Sequence, residues 1–516
     1  MRPWGRGAVI YQVYIRSFCD SNGDGQGDIP GLVGKLDYIA ALGVDAIWLS
    51  PLHPSPDRDW GYDVSDYDKV HPDYGTLEDF QKLLDGAHAR GLKIMLDEVL
   101  AHTSDEHAWF AASRDGDAGK RDWYVWADPK ADGTVPNNWL SVFGGPAWAY
   151  QPARRQYYHH KFLRQQPKLN WRNADARKAA LNVLTTWLKR GVDGFRLDVA
   201  NAFLHDEKLT DNPPVSPRGE VEWSAAANMQ RHIHDSNLEE NRAVLGEIRQ
   251  TVEAFDNRFV LGEFSEEFER SGCYLPPDKG LHAGYNFALL LARDAAGIRA
   301  HMEELAKHPD HWPAIAFSNH DVTRTASRFG AEAVQAMLAL LLSLRGTALI
   351  YQGEELGLPE VDLRRDQLRD PVGDLYYPLF KGRDGCRTPM PWDDAKPNLG
   401  FTSGAPWLPL GEGHAALSVT RQQTDPGSTL AYAKKMLAAR RAYADLRDGD
   451  QILLEAPLPL IMFRRGKTLC AFNLGPVAME WTLPATVTPL DFGTGQSAIR
   501  GQTLVLGPWS AFFGSL

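Results

Sequence analysis

Eight short apolar runs, separated by stretches of helical character, constrain the fold of this chain more than any other feature. The runs are Val9–Tyr14, Ala46–Leu49, Lys93–Asp97, Gly194–Asp198, Phe259–Glu263, Ala283–Phe287, Ala314–Ser318 and Ala348–Tyr351, and most of them stop at a polar residue. Between them, Gly31–Leu42, Thr76–Arg90, Ala174–Arg190 and Val334–Leu344 repeat apolar residues every third or fourth position, which places those residues on one helical face. Alternation of strand and helix specifies a parallel sheet wrapped in helices. Eight such units predict an α/β fold, a (β/α)8 TIM barrel, whose C-terminal strand edge carries the chemistry.

The 516 residues exceed what such a barrel uses alone, roughly 250 to 400. The excess falls in three places. Between Asp97 and Gly194 the chain carries far more than one helix, and its Trp-, Gly- and Pro-rich part reads as an inserted small domain, residues 102–171. A second insertion runs from Asn201 to Ala243 and contains the turn-forming Asp211-Asn-Pro-Pro. After Ala444 come short apolar strands, Leu458–Arg464, Leu469–Leu474 and Thr503–Leu506, separated by Gly, Pro and Asp. The expected division is a barrel over 1–101 and 172–444, the inserted domain, and a C-terminal antiparallel β-sandwich over 445–516.

Acidic residues outnumber basic ones, 66 to 55, and a formal charge of −11 repels a phosphate backbone, so no nucleic-acid partner is expected. No apolar run approaches the roughly 18 residues of a membrane span, and the N-terminus lacks the apolar core of a signal peptide. A soluble, cytoplasmic protein is expected. The four cysteines, Cys19, Cys273, Cys386 and Cys470, have no metal-ligand spacing and are too few for a disulfide framework, so they read as free thiols.

Three segments put an acid where an apolar strand stops: Gly194-Phe-Arg-Leu-Asp198, Val260-Leu-Gly-Glu-Phe264 and Phe317-Ser-Asn-His-Asp321. One such acid is ordinarily a helix cap or an ion-pair partner. Three at one barrel edge suit glycoside cleavage with retention, in which one carboxylate attacks the anomeric carbon and a second, protonated, serves the leaving oxygen. Arg196, two residues before Asp198 on the same strand face, is placed to keep the nucleophile ionised.

These segments resemble the signature regions of the α-amylase family of glycoside hydrolases, family 13. Further matching segments are Tyr11-Gln-Val-Tyr14, Gly61-Tyr-Asp-Val-Ser-Asp-Tyr67, Leu96-Asp-Glu-Val-Leu-Ala-His-Thr-Ser104, Gln166-Pro-Lys-Leu-Asn170 and Gly385-Cys-Arg-Thr-Pro-Met-Pro-Trp392, in the family's order. The likeness is greatest to the α-glucosidase and oligo-1,6-glucosidase branch. It implies Asp198 as nucleophile, Glu263 as acid/base and Asp321 as transition-state stabiliser. It further implies Asp59, Tyr62, His102, Phe143, Phe162, Arg196, His320 and Arg387 around the terminal glucose, with Arg387 preferred to its neighbour Arg383. The activity implied is release of α-glucose from the non-reducing end of short, maltose-like α-glucosides, with transfer to sugar or alcohol acceptors. Sucrose-acting hydrolases or isomerases and dedicated α-glucosyl transferases of the family share this donor pocket and remain alternatives. A non-catalytic transporter-associated homologue is a distant one, since such proteins carry a membrane span and an eroded site. Two positions depart from relatives: Ala101 stands where many amylases have Asn, and Lys168 where oligo-1,6-glucosidases have Asp.

The loop Asp20-Ser-Asn-Gly-Asp-Gly-Gln-Gly-Asp28 places oxygen ligands at alternate positions, as an EF-hand loop does, although Gly31 occupies the twelfth position, where the bidentate Glu is expected. Asp20, Asn22, Asp24, the Gln26 carbonyl and Asp28 are the expected ligands of a structural Ca²⁺ or Mg²⁺; no organic cofactor is expected. The oligomeric state is left open.

Overall fold

The computed structural model of the chain describes residues 3–215, 226–264, 274–275, 279–483 and 485–516. Eight parallel strands form its central sheet: β1 (Val9–Val13), β2 (Ala46–Leu49), β3 (Lys93–Glu98), β4 (Gly194–Leu197), β5 (Phe259–Phe264), β6 (Ala283–Asn286), β7 (Ala314–Ile315) and β8 (Thr347–Tyr351). Their order around the sheet is β7-β8-β1-β2-β3-β4-β5-β6. A parallel bridge between Gly284 and Pro313 joins the two ends and closes the ring. The expected α/β barrel is the observed one.

The strands are buried along nearly their whole length because helices cover the outside and side chains fill the inside. The helices Leu77–Ala89, Ala174–Lys189 and Val334–Ser343 fall where apolar spacing predicts them. Two elements differ. The stretch expected to be one helix from Gly31 to Leu42 is two, Ile29–Val33 and Leu36–Leu42, because the chain leaves helical geometry at Lys35 (φ −113°, ψ 5°). The run expected as a strand from Ala314 to Ser318 ends at Ile315. Just past that run, the side-chain oxygen of Asn319 accepts from the backbone N–H groups of Asp321 (2.9 Å) and Val322 (3.1 Å), which folds the chain into a turn.

Two excursions matter to the site. After β3, the strands Trp126–Ala127, Trp148–Gln151 and Gln156–His159 make a small antiparallel sheet with its own aromatic core, including Trp139 and Trp148. The expected insertion from Asn201 to Ala243 is described except for residues 216–225. From Gln451 onward the chain forms a five-stranded and a three-stranded antiparallel sheet, the latter pairing through Thr503–Leu506. Cys19, Cys386 and Cys470 are buried free thiols, and Cys273 lies outside the described residues. Among the described residues, no helix is long and apolar enough to cross a membrane.

Candidate active site

The strand ends β3, β4 and β5 and the turn after β7 converge on one cavity of about 300 Å³. Its wall includes Asp59, Tyr62, His102, Phe143, Phe162 and Arg383 around the three acids Asp198, Glu263 and Asp321. Each acid is there for a local reason. Asp198 is the first residue after β4, and Glu263 lies one residue before the end of β5. Asp321 is held by the Asn319 turn.

Arg196 organises the first group. Its Nη1 donates to Asp97 Oδ1 at 2.6 Å and to Asp198 Oδ1 at 2.7 Å, while its Nη2 pairs with Glu263 and reaches the Tyr285 hydroxyl at 3.4 Å. The Tyr285 hydroxyl donates to Glu263 Oε1 at 2.9 Å. Three carboxylates therefore share one buried guanidinium. Burial raises the pKa of Glu263 to about 7, with the charges of Asp198 and Asp321 adding to it and Arg196 opposing it. Burial likewise carries Asp198 up to about 7 against the pull of Arg196. The expected lowering by Arg196 is present but is outweighed by burial, to which the charges of Asp97 and Asp321 add.

Asp321 behaves oppositely. Although burial opposes ionisation, the guanidiniums of Arg383 and Arg387 beside it hold its carboxyl well below the usual range. Arg387 Nη2 donates to Asp321 Oδ1 at 2.9 Å, and Arg383 Nη1 approaches the same oxygen at 3.3 Å. Burial lowers His320 to about 3 and His102 to about 4, so both rings are neutral. His320 stacks parallel on Tyr62, with ring centroids 5.5 Å apart, and its Nε2 lies 2.5 Å from the Tyr62 hydroxyl. His102 Nε2 is 2.9 Å from the Tyr62 carbonyl and packs against Phe162, which in turn meets Phe143 edge-on.

The two arginines are placed differently from the sequence expectation. Arg387 is fully buried behind Asp321, with Nε donating to the His320 carbonyl at 2.8 Å, and it is absent from the cavity wall. The arginine that meets Asp59 is Arg383, at 2.8 Å, and it is held from behind by Asp370 at 2.9 Å. Three residues separate the two, the tight turn Asp384–Cys386, and although both guanidiniums reach Asp321 Oδ1 they differ in their other partners. Asp97, one residue before the end of β3, joins the acids on Arg196 without having been expected among the site residues, and the apolar residues Val142, Phe287, Val372 and Phe380, which carry no chemical marker in the sequence, also line the cavity.

The loop at Asp20 is built from its own turns. Asp20 Oδ1 accepts from the N–H groups of Asn22 and Gly23, Asn22 Oδ1 from Asp24, and Asp24 Oδ1 from Gln26, at 2.7–2.9 Å. Gly25 has φ +95°, and a Cβ there would lie 1.9 Å from the Ala405 carbonyl, so only glycine fits. Asp28 caps the helix Ile29–Val33 through Gly31 N–H at 2.6 Å and binds Ser21 with its other oxygen. The donor set is entirely hard oxygen, the chemistry Ca²⁺ or Mg²⁺ requires. Among the described residues, Asp20, Asp24 and Asp28 do not draw together within 4.8 Å; Asp57, His71 and Asp73 do, but the Arg16 guanidinium already pairs with both of those aspartates.

A family model described as the α-amylase catalytic domain matches residues 12–449. A probable α-glucosidase of Rhizobium meliloti (strain 1021) is 45% identical, over 100% of this chain and 97% of its own. An oligo-1,6-glucosidase of Heyndrickxia coagulans is 37% identical over 99% of both chains. Among solved structures, the α-glucosyl transfer enzyme XgtA superposes with a TM-score of 0.96 at 46% identity, covering 100% of this chain and 99% of that one. The trehalulose synthase MutB from Pseudomonas mesoacidophila MX-45 gives 0.90 at 31% identity, covering 99% of each. With its barrel, its strand-end acids and a family model spanning most of its length, the chain belongs to the α-amylase family of glycoside hydrolases.

Proposed function

We propose that this protein is a retaining, exo-acting α-glucosidase that releases α-glucose from the non-reducing end of short α-glucosides. The observation that carries this reading is the pairing of Asp198 and Glu263 with the two terminal nitrogens of Arg196, facing a small cavity. Two carboxyls bound to one guanidinium suit the close spacing of a retaining displacement, about 5 Å, rather than the roughly 6.5–9.5 Å that admits a water between them. Asp198 attacks the anomeric carbon. Glu263, whose pKa burial raises to about 7, retains a protonated fraction near neutral pH, gives its proton to the leaving oxygen and later takes one from the incoming water. Asp321 stays ionised and faces the positive charge that develops on the sugar ring. Asp59 and Arg383 close the far side of the cavity on the hydroxyls of a terminal ring.

Incubation with maltose, isomaltose, nigerose, sucrose, trehalose and maltoheptaose, with products separated over time, tests this reading. Glucose should appear first, as the α-anomer. Early mid-length products from maltoheptaose, or β-glucose first, would overturn it.

Transfer to sugar or alcohol acceptors is the second reading, favoured by a larger cavity of about 960 Å³ that adjoins the first and shares Asp321, Phe380 and Arg383 with it. An acceptor held there competes with water for the same glucosyl intermediate. We place the enzyme in the cytoplasm, where its three buried thiols stay reduced.

The two arginines separate by experiment. Arg383→Ala should raise KM for glucosides with kcat less affected, because Arg383 meets Asp59 at the cavity wall. Arg387→Ala should lower kcat by about 10-fold or more, because it removes a charged partner of Asp321, worth roughly 1.5–3 kcal/mol. Steady-state kinetics on maltose decides; the reverse pattern would return the substrate contact to Arg387.

We also propose that the loop with Asp20, Asn22, Asp24, the Gln26 carbonyl and Asp28 holds a structural Ca²⁺ or Mg²⁺. Chelation of the wild type should lower Tm by several degrees with kcat retained once the protein is kept folded, since an ion bound only by the folded state stabilises it by about 2.7 kcal/mol at 100 times its Kd. Asp24→Ala should abolish that response to chelator. A Tm indifferent to chelator would make the loop a turn and nothing more.

A further inference from the structure

Lys168 lies in the inserted segment, almost wholly buried, and its amine donates to the carbonyl of Ala202, four residues after Asp198. Its own backbone is fixed on both sides: its N–H donates to the His159 carbonyl at 2.9 Å, and its carbonyl accepts from Val125 at 3.1 Å. The next residue, Leu169, donates to the Ala101 carbonyl just beyond β3 at 3.1 Å. Burial, reinforced by the positive charge of Lys161, lowers the pKa of this amine to about 7. Burying an amine is unfavourable unless its hydrogens are bonded, and methionine would fill similar space without that cost. What lysine adds is a donor to one backbone carbonyl.

That carbonyl belongs to a strained turn. Val199, the residue after Asp198, has φ +36°, a region that a β-branched side chain avoids. The Ala202 N–H donates to the Val199 carbonyl at 2.8 Å, and the Ala200 N–H to the Glu263 carbonyl at 2.9 Å. From the outer side, Asn241 Nδ2 holds the Ala200 carbonyl at 2.7 Å, and the Asn237 N–H holds that of Asn201 at 2.9 Å. A backbone in a sparsely populated conformation persists only where its neighbours over-determine it. Lys168 supplies the hold on the side of the inserted segment.

We propose that Lys168 is a positioning residue for the nucleophile: anchored in the inserted segment, it holds the Ala202 carbonyl so that the strained turn after Asp198 keeps that carboxylate aimed into the cavity. The proposal rests on the reading of Asp198 as nucleophile given above. The charged and titratable groups that face the amine are Lys161, Asp235, His159, His205 and His102; of these, Lys161 is itself bonded to Asp235 at 3.0 Å.

The test follows fluoride release from α-glucosyl fluoride in a single turnover, which reads attack by Asp198 with little need for the acid. Lys168→Met should slow glucosylation by roughly 10- to 100-fold, the effect of a misplaced reacting group, while inhibition by glucose, which fills the same cavity, changes by less than about threefold. Val199→Gly removes the strain at its source, so adding Lys168→Met in that background should cost less than about threefold. Equal losses in both backgrounds, a Lys168→Met rate near that of the wild type, or glucose binding that weakens in step with the rate would each overturn the proposal. Should Lys168→Met fail to fold, Lys168→Ala supplied with propylammonium replaces it; saturable recovery of the rate is expected, and no recovery overturns the proposal. Peptide mapping of the wild-type adduct keeps the two readings apart. An adduct away from Asp198 removes the nucleophile assignment and this proposal together, whereas an adduct on Asp198 with an unaffected Lys168→Met removes the proposal alone.

Discussion

Glu263→Gln is expected to leave maltose and other natural disaccharides almost uncleaved, yet still to accept a glucosyl group from α-glucosyl fluoride onto Asp198. The amide cannot protonate a leaving sugar, a step worth roughly 10²- to 10⁴-fold, but fluoride leaves with little assistance. The ester then persists, because the group that would activate water is the one removed. A peptic digest read by mass spectrometry should carry one added glucosyl unit on the peptide containing Gly194-Phe-Arg-Leu-Asp198, and Asp198→Asn should carry none. The pH profile gives a second reading of the same roles. With Glu263 near 7, wild-type kcat/KM on maltose should fall as pH rises through that value, since the acid must be protonated. In Glu263→Gln, glucosylation by the fluoride should lose that alkaline limb. An adduct on another peptide, or undiminished hydrolysis of maltose by either variant, would end the retaining assignment.

Much of this machinery is legible in the sequence because buried parallel strands leave a plain trace. Gly194–Leu197 and Phe259–Phe264 are short apolar runs whose polar stops coincide with the catalytic edge. The run Ala314–Ser318 reads longer than its strand, which ends at Ile315, and the Asn319 hydrogen bond that places Asp321 lies beyond it, where an apolar count carries no sign of it. Local pattern fails more deeply where placement depends on contacts between distant segments. Arg383 and Arg387 flank the same short motif, and what separates them is that Asp59 and Asp370 wait on one side and His320 on the other. The charge state of Asp198 is likewise not a property of Arg196 two residues away alone. It depends first on burial, and then on the charges of Asp97 near the end of β3 and Asp321 in the turn after β7, which the fold brings beside it. Lys168 reads in sequence only as a departure from relatives; its contact with Ala202 needs the fold.

Arg196→Met is expected to damage activity and stability together, with the stability loss growing as pH rises. In the wild type, the folded-state pKa values of Asp97, Asp198 and Glu263 are all raised to about 7, with burial the largest cause. The folded site therefore holds protons that the unfolded chain has released. What these three acids cost in stability is absent below the ordinary carboxylate range and grows as pH climbs towards 7. Arg196, fully buried and bonded to all three, limits that cost. Without it their pKa values rise further and the unfavourable window extends above 7. Removing one partner of a buried ion pair typically costs about 3–5 kcal/mol when the charge left behind stays ionised. The gap in Tm between wild type and variant should thus be small near pH 5, where the acids can stay protonated, and several degrees wider near pH 8. Turnover should fall by roughly 10²- to 10³-fold, the scale on which loss of one preorganised electrostatic partner is felt, because Asp198 is then more often protonated and less firmly aimed. Arg196→Lys restores a charge but not the fork that reaches Asp198 with one nitrogen and Glu263 with the other. It should therefore recover much of the stability at pH 8 and little of the activity. A Tm gap independent of pH would show that Arg196 acts there as packing against Trp48, 5.3 Å from its guanidinium, and not as the counter-charge of the three acids.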